Sequence, residues 1–220
     1  MPDAQFSSPD SPLAEEPAAP VRKRPKPGER RVQILQALAT MLEQPGAERI
    51  TTAALAARLE VSEAALYRHF ASKAQMFEGL IEFIEQSVFT LVNQIMERES
   101  AGKDQGADTG VRQAAKVVAM LLQFAEKNPG MTRVMVGDAL VFENERLQQR
   151  MNQFFDKIES TLKQSLRSAE GDASATPSVD AQVRASLLTT FVVGRLQRFA
   201  RSGFKRAPSE YLEASLARML

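Results

Sequence analysis

Apolar residues recur at three- and four-residue steps through most of the chain, the period of amphipathic helices. Ile34, Leu35, Leu38, Ala39 and Leu42 form one stripe over about residues 29–43, and Gln44-Pro45-Gly46 ends that helix. Residues 50–73 then predict two short helices joined by a tight turn. Thr51 before the first and Ser62 before the second supply N-capping hydroxyls. Leu55, Ala56, Leu59, Val61, Leu66 and Phe70 are spaced to pack the pair against each other and a third element. Ser72-Lys73-Ala74-Gln75 forms a capping box that opens a long helix to about residue 99. A Gly- and Asp-rich loop at 102–110 separates it from a helix over about 111–127, which Asn128-Pro129-Gly130 stops. After a short helical piece, a long helix is predicted over about 138–167, followed by a polar loop at 168–178. A further long helix spans about 179–202, and a short one follows Pro208. No stretch alternates with the two-residue period of a strand. The fold class is all-α.

The second short helix keeps Glu63, Ala64, Tyr67, Arg68 and His69 after its packing positions are assigned. A face of small, aromatic and basic side chains fits the major groove of DNA, so the pair reads as a helix-turn-helix. Two roles stay open for several of these residues. Thr51, Thr52 and Ser62 either only cap helices or also hold a phosphate through hydroxyl and backbone N–H groups. Glu63 and Ala64 occupy the part of the helix that faces base edges, where Ala64 suits a thymine methyl. Tyr67 and His69 either pack internally or meet the DNA backbone, and Arg68 is either a contact or simply solvated. Lys73 opens the long helix, an unfavourable place for a cation unless a phosphate is held there too.

Composition narrows the function classes. The 220 residues suit one or two domains, and the net charge of +1 hides an asymmetry. Seven of the eleven prolines fall within residues 1–27, which predicts a disordered arm over residues 1–29. Its end carries Arg22, Lys23, Arg24, Lys26, Arg30 and Arg31 against one acid, Glu29. That run is either a solvated cluster or an arm on phosphates and the minor groove. The DNA-binding domain is expected over 30–76, with its motif at about 51–70, and a second helical domain over 77–220. The chain has no cysteine, and His69 is its only histidine. No catalytic constellation, metal site or cofactor motif is therefore expected, and the protein is read as no enzyme. With no apolar run of membrane-span length and no apolar leader core, the expected location is the cytoplasm.

The helical repeats of the second domain suggest its contacts. On the long helix opened by Ser72, Leu80, Ile81, Ile84, Val88, Leu91, Val92 and Ile95 form one stripe, with Met76 and Phe83 to one side and Phe89 and Met96 to the other. So wide an apolar surface is either deeply buried or keeps a flank for a partner. Leu140, Leu147, Met151, Phe154, Phe155, Ile158, Leu162 and Leu166 recur at helical spacing, as do Leu187, Leu188, Phe191, Val192, Leu196 and Phe199. These stripes are either an intramolecular core or a four-helix bundle across a twofold axis. On the second reading Phe154, Phe155, Ile158, Leu162, Leu188, Phe191, Leu196 and Phe199 form a homodimer interface. That dimer would set two recognition helices about 34–36 Å apart on a palindrome.

Leu66-Tyr67-Arg68-His69-Phe70 followed by Lys73 resembles the TetR family, over about residues 30–76. Family members usually carry Gly in the turn where this chain has Glu60. The likeness continues through Ser62–Phe70, Leu80–Glu85, Asn128–Arg133 and Arg198–Lys205, which resemble the family's nucleoid occlusion factors over about residues 30–212. That resemblance implies a dimer that binds dispersed palindromic chromosomal sites and the tubulin-like division protein FtsZ, antagonising its polymers over the nucleoid. It implies a groove for the FtsZ C-terminal tail, here lined by Phe83 and Ser87 with Met120, Gln123, Phe124, Lys127 and Asn128. The alternative for this architecture is a ligand-responsive transcriptional repressor, with a closed pocket inside the second domain.

Overall fold

The computed structural model describes residues 28–44, 49–101, 107–170 and 177–220. The Pro-rich arm and its basic run from Arg22 to Lys26 lie outside the described residues. Among those described, the chain is all helical: α1 (Glu29–Leu42), α2 (Thr52–Arg58), α3 (Glu63–Tyr67), α4 (Lys73–Ser100), α5 (Ala107–Lys127), α6 (Pro129–Met135), α7 (Glu145–Glu170), α8 (Pro177–Arg201) and α9 (Leu212–Met219).

Three hydroxyls start helices where the sequence places them. Thr51 Oγ1 accepts from the Ala54 N–H at 3.1 Å, Ser62 Oγ from Ala65 at 3.3 Å and Ser72 Oγ from Gln75 at 3.2 Å. Each cap of this kind stabilises its helix by about 1 kcal/mol. Gln75 closes the box one residue early, accepting from the Ala71 N–H at 2.8 Å. Ile34, Leu38 and Leu42 of α1, Leu55 of α2, Leu66 of α3 and the following Phe70 are all buried together.

The 28-residue α4 serves both halves of the molecule. Its Phe77, Leu80, Ile81, Ile84, Val88 and Val92 are buried and continue the core begun by α1–α3. Acids on α4 pair with bases on α7: Arg146 with Glu78, and Arg150 with Glu85 through two hydrogen bonds of 3.1 and 2.6 Å. The Glu85 carboxylate holds the Arg150 guanidinium above the ordinary arginine range. At its far end α4 runs beside α5, where Glu99 meets Lys116 and Arg112, and Gln113 donates to the Met96 carbonyl and Ser100 hydroxyl. α6 meets α1 through Gly130. A β-carbon there would lie 1.9 Å from the Ala39 carbonyl oxygen, so only glycine permits this approach.

Several predicted boundaries shift for local reasons. The helix expected over 138–167 is broken: residues Asp138–Leu140 make one 3-10 turn after Gly137, whose φ is 83°. The chain bends through 141–144, and Asn144 Oδ1 then accepts from the Arg146 N–H at 3.0 Å, starting α7. Asn144 is an N-cap that the unbroken apolar period conceals. α5 begins at Ala107, so the loop expected over 102–110 gives up its last four positions to helix. α7 extends to Glu170, and α8 opens at Pro177, a residue favoured in a first helical turn.

Candidate nucleic-acid interface

The turn between α2 and α3 forces Glu60 to φ 53°, the left-handed region that glycine occupies freely. A non-glycine residue there costs about 1–2 kcal/mol. The strain is tolerated because Leu55, Ala56 and Leu66 lock the two helices together on either side.

The outward face of this pair is interlinked. Thr52 Oγ1 donates to Glu63 Oε2 at 2.5 Å, and the Tyr67 hydroxyl lies 3.5 Å from the same Thr52 oxygen. Glu63 and Tyr67 are therefore oriented by α2 before any ligand arrives. Thr51, Ser62, Ala64 and Arg68 are exposed, whereas Thr52 and His69 are half-buried. His69 offers its backbone carbonyl to Arg31 at 2.7 Å, and the Arg31 guanidinium lies 4.2 Å from the Phe70 ring centroid. Arg31, read from sequence as part of the basic arm, thus also ties α1 to the end of α3. Lys73 stands apart from this cluster. Its Nζ is 2.5 Å from Glu143 in the bend before α7, with side-chain exposures of 31 % for Lys73 and 9 % for Glu143. Beside it, Arg49 lies over the Phe142 ring at 5.2 Å. A cation expected to meet phosphate is held by the second domain, through a partner 70 positions away.

The surface between α4 and α5 can be placed from their clasp. Counting back from the Glu99–Arg112 and Gln113–Ser100 contacts, one residue at a time along both antiparallel helices, sets Leu91 level with Met120 and Ser87 level with Phe124. Phe83 is 46 % and Leu91 38 % exposed, while Ser87, Met120 and Phe124 are half-buried and Gln123 and Lys127 exposed. The apolar flank of α4 is narrower than its sequence suggests. Met76 is fully buried, and the Phe89 ring meets Phe154 edge-on at 5.5 Å beneath Lys157. Asn128 precedes α6, and its side-chain amide donates to the Phe124 carbonyl at 2.7 Å.

The expected dimer stripes need correction. Phe154, Ile158, Leu162, Leu188, Leu196 and Phe199 are buried inside the protomer, where α7 and α8 pack on each other and on α5. They have no surface to offer a second copy. Phe155 and Phe191 remain half-buried at the edge of that core. The exposed apolar row lies on the opposite side of α8, at Val179, Val183 and Leu187, each between 54 and 59 % exposed.

Residues 34–80 match the family described as bacterial regulatory proteins of the tetR family, and residues 107–219 match the tetracyclin repressor-like C-terminal domain of SlmA type. The chain is 50 % identical over 185 residues to the nucleoid occlusion factor SlmA of Idiomarina loihiensis, covering 84 % of this chain and 90 % of that one. It is 50 % identical over 189 residues to SlmA of Vibrio vulnificus strain YJ016, covering 86 and 92 %. SlmA of Photobacterium profundum is 52 % identical over 182 residues, covering 82 and 89 %. Among solved structures, the regulator FadR of Bacillus subtilis in complex with stearoyl-CoA superimposes with a TM-score of 0.66 at 13 % identity, covering 86 % of this chain and 96 % of that one. A TetR regulator from Legionella pneumophila gives 0.64 at 16 %, covering 88 and 97 %. At such identities these structures share the fold alone. The sequence matches span both halves of the molecule and the relatives' names describe DNA-associated factors rather than enzymes, so the chain belongs to the SlmA family of TetR-type DNA-binding proteins.

Proposed function

We propose that the protein is a DNA-anchored inhibitor of cell division, a homodimer that binds palindromic chromosomal sites and the C-terminal tail of FtsZ, antagonising FtsZ polymers over the nucleoid. The observation that carries this reading is the pairing of two separate surfaces on one helix. α4 begins beside the helix-turn-helix at Lys73 and, further along, exposes Phe83 and Leu91 level with α5. A repressor released by a small ligand has no use for such an outward apolar flank.

For DNA, Thr52, Glu63 and Tyr67 form the pre-set part of the face, with Ala64 toward a base edge and Arg68 and His69 beside the backbone. Thr51 and Ser62 keep their capping role and add N–H and hydroxyl donors to phosphate. For the tail, Phe83, Met120 and Phe124 offer apolar contacts, Ser87 and Gln123 hydrogen bonds, and Lys127 a charge for acidic groups. Dimerisation uses the row of Val179, Val183 and Leu187 with Phe191 and Phe155, an apolar surface that water otherwise covers.

Chromosome-wide footprinting tests the reading. Many dispersed palindromes are expected; protection confined to one or two promoters supports a ligand-responsive repressor instead. In parallel, a labelled FtsZ tail peptide should bind the wild-type protein and bind Phe83→Ala at least tenfold more weakly, with DNA affinity retained.

A further inference from the structure

The segment joining α8 to α9 and the last turns of α8 border an open cavity of about 600 Å³ that belongs to neither surface above. Arg195, Arg198, Lys205, Arg206, Glu210 and Tyr211 line it. Four cations thus face one carboxylate. Several cations elsewhere on the body of the protein are paired: Lys116 and Arg112 with Glu99, Arg146 with Glu78, Arg150 with Glu85. Among the described residues, no ion pair is made by Arg198, Lys205 or Arg206.

The walls are fixed rather than loose. Ser202 Oγ accepts from the N–H groups of Lys205 and Arg206 at 3.1 and 3.0 Å and donates to the Phe199 carbonyl at 2.8 Å. The Phe204 ring stacks edge-on to Phe199 at 5.1 Å, with Arg133 over its other side at 5.2 Å. Ser209 is tied to Glu126 of α5 through both its N–H and its hydroxyl. Arg195 is held over Phe191 at 4.9 Å. Phe204 and Tyr211 both sit at positive φ, 64 and 54°. Two strained non-glycine residues framing one cavity are the mark of a place where the surroundings over-determine the backbone. The strain leaves the Tyr211 ring 74 % exposed at the rim.

We propose that this cavity is a binding site for a nucleotide. The phosphates meet Arg198 and Arg206, whose guanidinium forks match phosphate oxygens, and the Lys205 ammonium. The Glu210 carboxylate accepts from a sugar hydroxyl, as carboxylates do in nucleotide sites, and the base stacks on Tyr211. The volume falls within the range of about 300–1,000 Å³ usual for small-molecule sites. A cavity of this volume accommodates a mononucleotide, and none of its residues belongs to the helix-turn-helix. The inference is independent of FtsZ binding.

ATP and inorganic tripolyphosphate, titrated calorimetrically into the full-length protein, test it. Saturable ATP binding, one per protomer, is expected. Arg206→Glu and, separately, Arg198→Gln each weaken it about tenfold, the range of lost charge-assisted hydrogen bonds. Both positions are exposed, and an unchanged helical circular dichroism spectrum confirms that the variants fold. Tyr211→Ala weakens ATP about tenfold by removing the stacking surface and leaves tripolyphosphate binding unchanged. The proposal is overturned by absence of saturable ATP binding at millimolar concentration, or by Tyr211→Ala binding ATP as wild type does. It is equally overturned if a random-sequence duplex displaces ATP at equal phosphate concentration, which would make the cavity a general backbone-binding patch.

Discussion

Replacing Glu143 by Gln should tighten DNA binding, although the residue lies outside the DNA-binding domain. In the protein without DNA, Glu143 holds Lys73 at 2.5 Å. The gross attraction of two unit charges at that distance is on the order of 6–7 kcal/mol at an effective dielectric of about 20. Desolvation and side-chain ordering cancel most of it, and exposed pairs retain about 0.2–1 kcal/mol. With Lys73 only 31 % and Glu143 9 % exposed, the upper end applies, about 1 kcal/mol. Lys73 must give up that amount to reach a phosphate. Glu143→Gln removes the charge at nearly constant shape, so affinity should rise about fivefold per protomer and about thirtyfold for a dimer on a palindrome. The log–log salt slope should stay the same, since Lys73 meets the same phosphate in both proteins. Fluorescence anisotropy with a duplex recovered by footprinting, repeated across a salt series, measures both quantities. Unchanged or weaker affinity would refute the reasoning, because Lys73 would then meet DNA without leaving Glu143, or not meet it at all.

Three further outcomes follow from the packing. Gly130→Ala puts a methyl group 1.9 Å from the Ala39 carbonyl and forces α6 away from α1; overpacking of this kind costs about 1–3 kcal/mol, read as a melting temperature lower by several degrees. Leu187→Lys should yield a folded monomer by sedimentation equilibrium. Leu188→Ala, one residue along but fully buried, should instead lower stability by about 2–5 kcal/mol with dimerisation intact. The Lys116 ammonium, with Arg112, holds the Glu99 carboxyl below its ordinary value of 4.5. A depressed folded-state value means the clasp contributes stability above that pH and loses it as pH falls through the depressed value. Hydrogen-exchange protection factors at the α4–α5 end, taken against the intrinsic rate at each pH, should therefore fall in acid, and Glu99→Gln should show the reduced protection already at neutral pH.

What the sequence displays well is local. Thr51, Ser62 and Ser72 cap the helices they precede, and Glu60 occupies the left-handed turn that the spacing around it requires. Apolar period alone fails where two faces of one helix are both apolar. On α8 the richer stripe, with Leu188, Leu196 and Phe199, is taken by the protomer's own core, and the poorer row of Val179, Val183 and Leu187 is left outside. Nothing local distinguishes them, because the choice is made by α5 and α7. Asn144 was hidden for a related reason: Leu140 and Leu147 keep helical spacing across the bend, although only Leu147 is on α7. The partner of Lys73 was beyond local reach, since the bend before α7 must fold onto α4 before Glu143 arrives. The cavity of Arg198 and Tyr211 is similar: its cations are visible as a basic run, but their convergence depends on the strained turn at Phe204.

The central claim is that DNA binding and FtsZ binding belong to one molecule, and sedimentation of FtsZ polymers tests it most directly. FtsZ assembled with GTP is pelleted alone, with the protein, and with the protein plus its specific duplex. Polymer mass should fall, most strongly when the duplex is present, and Phe83→Ala should leave it near the control value while still binding DNA. Polymer mass that stays at the control value with the wild-type protein, with and without DNA, would contradict the account.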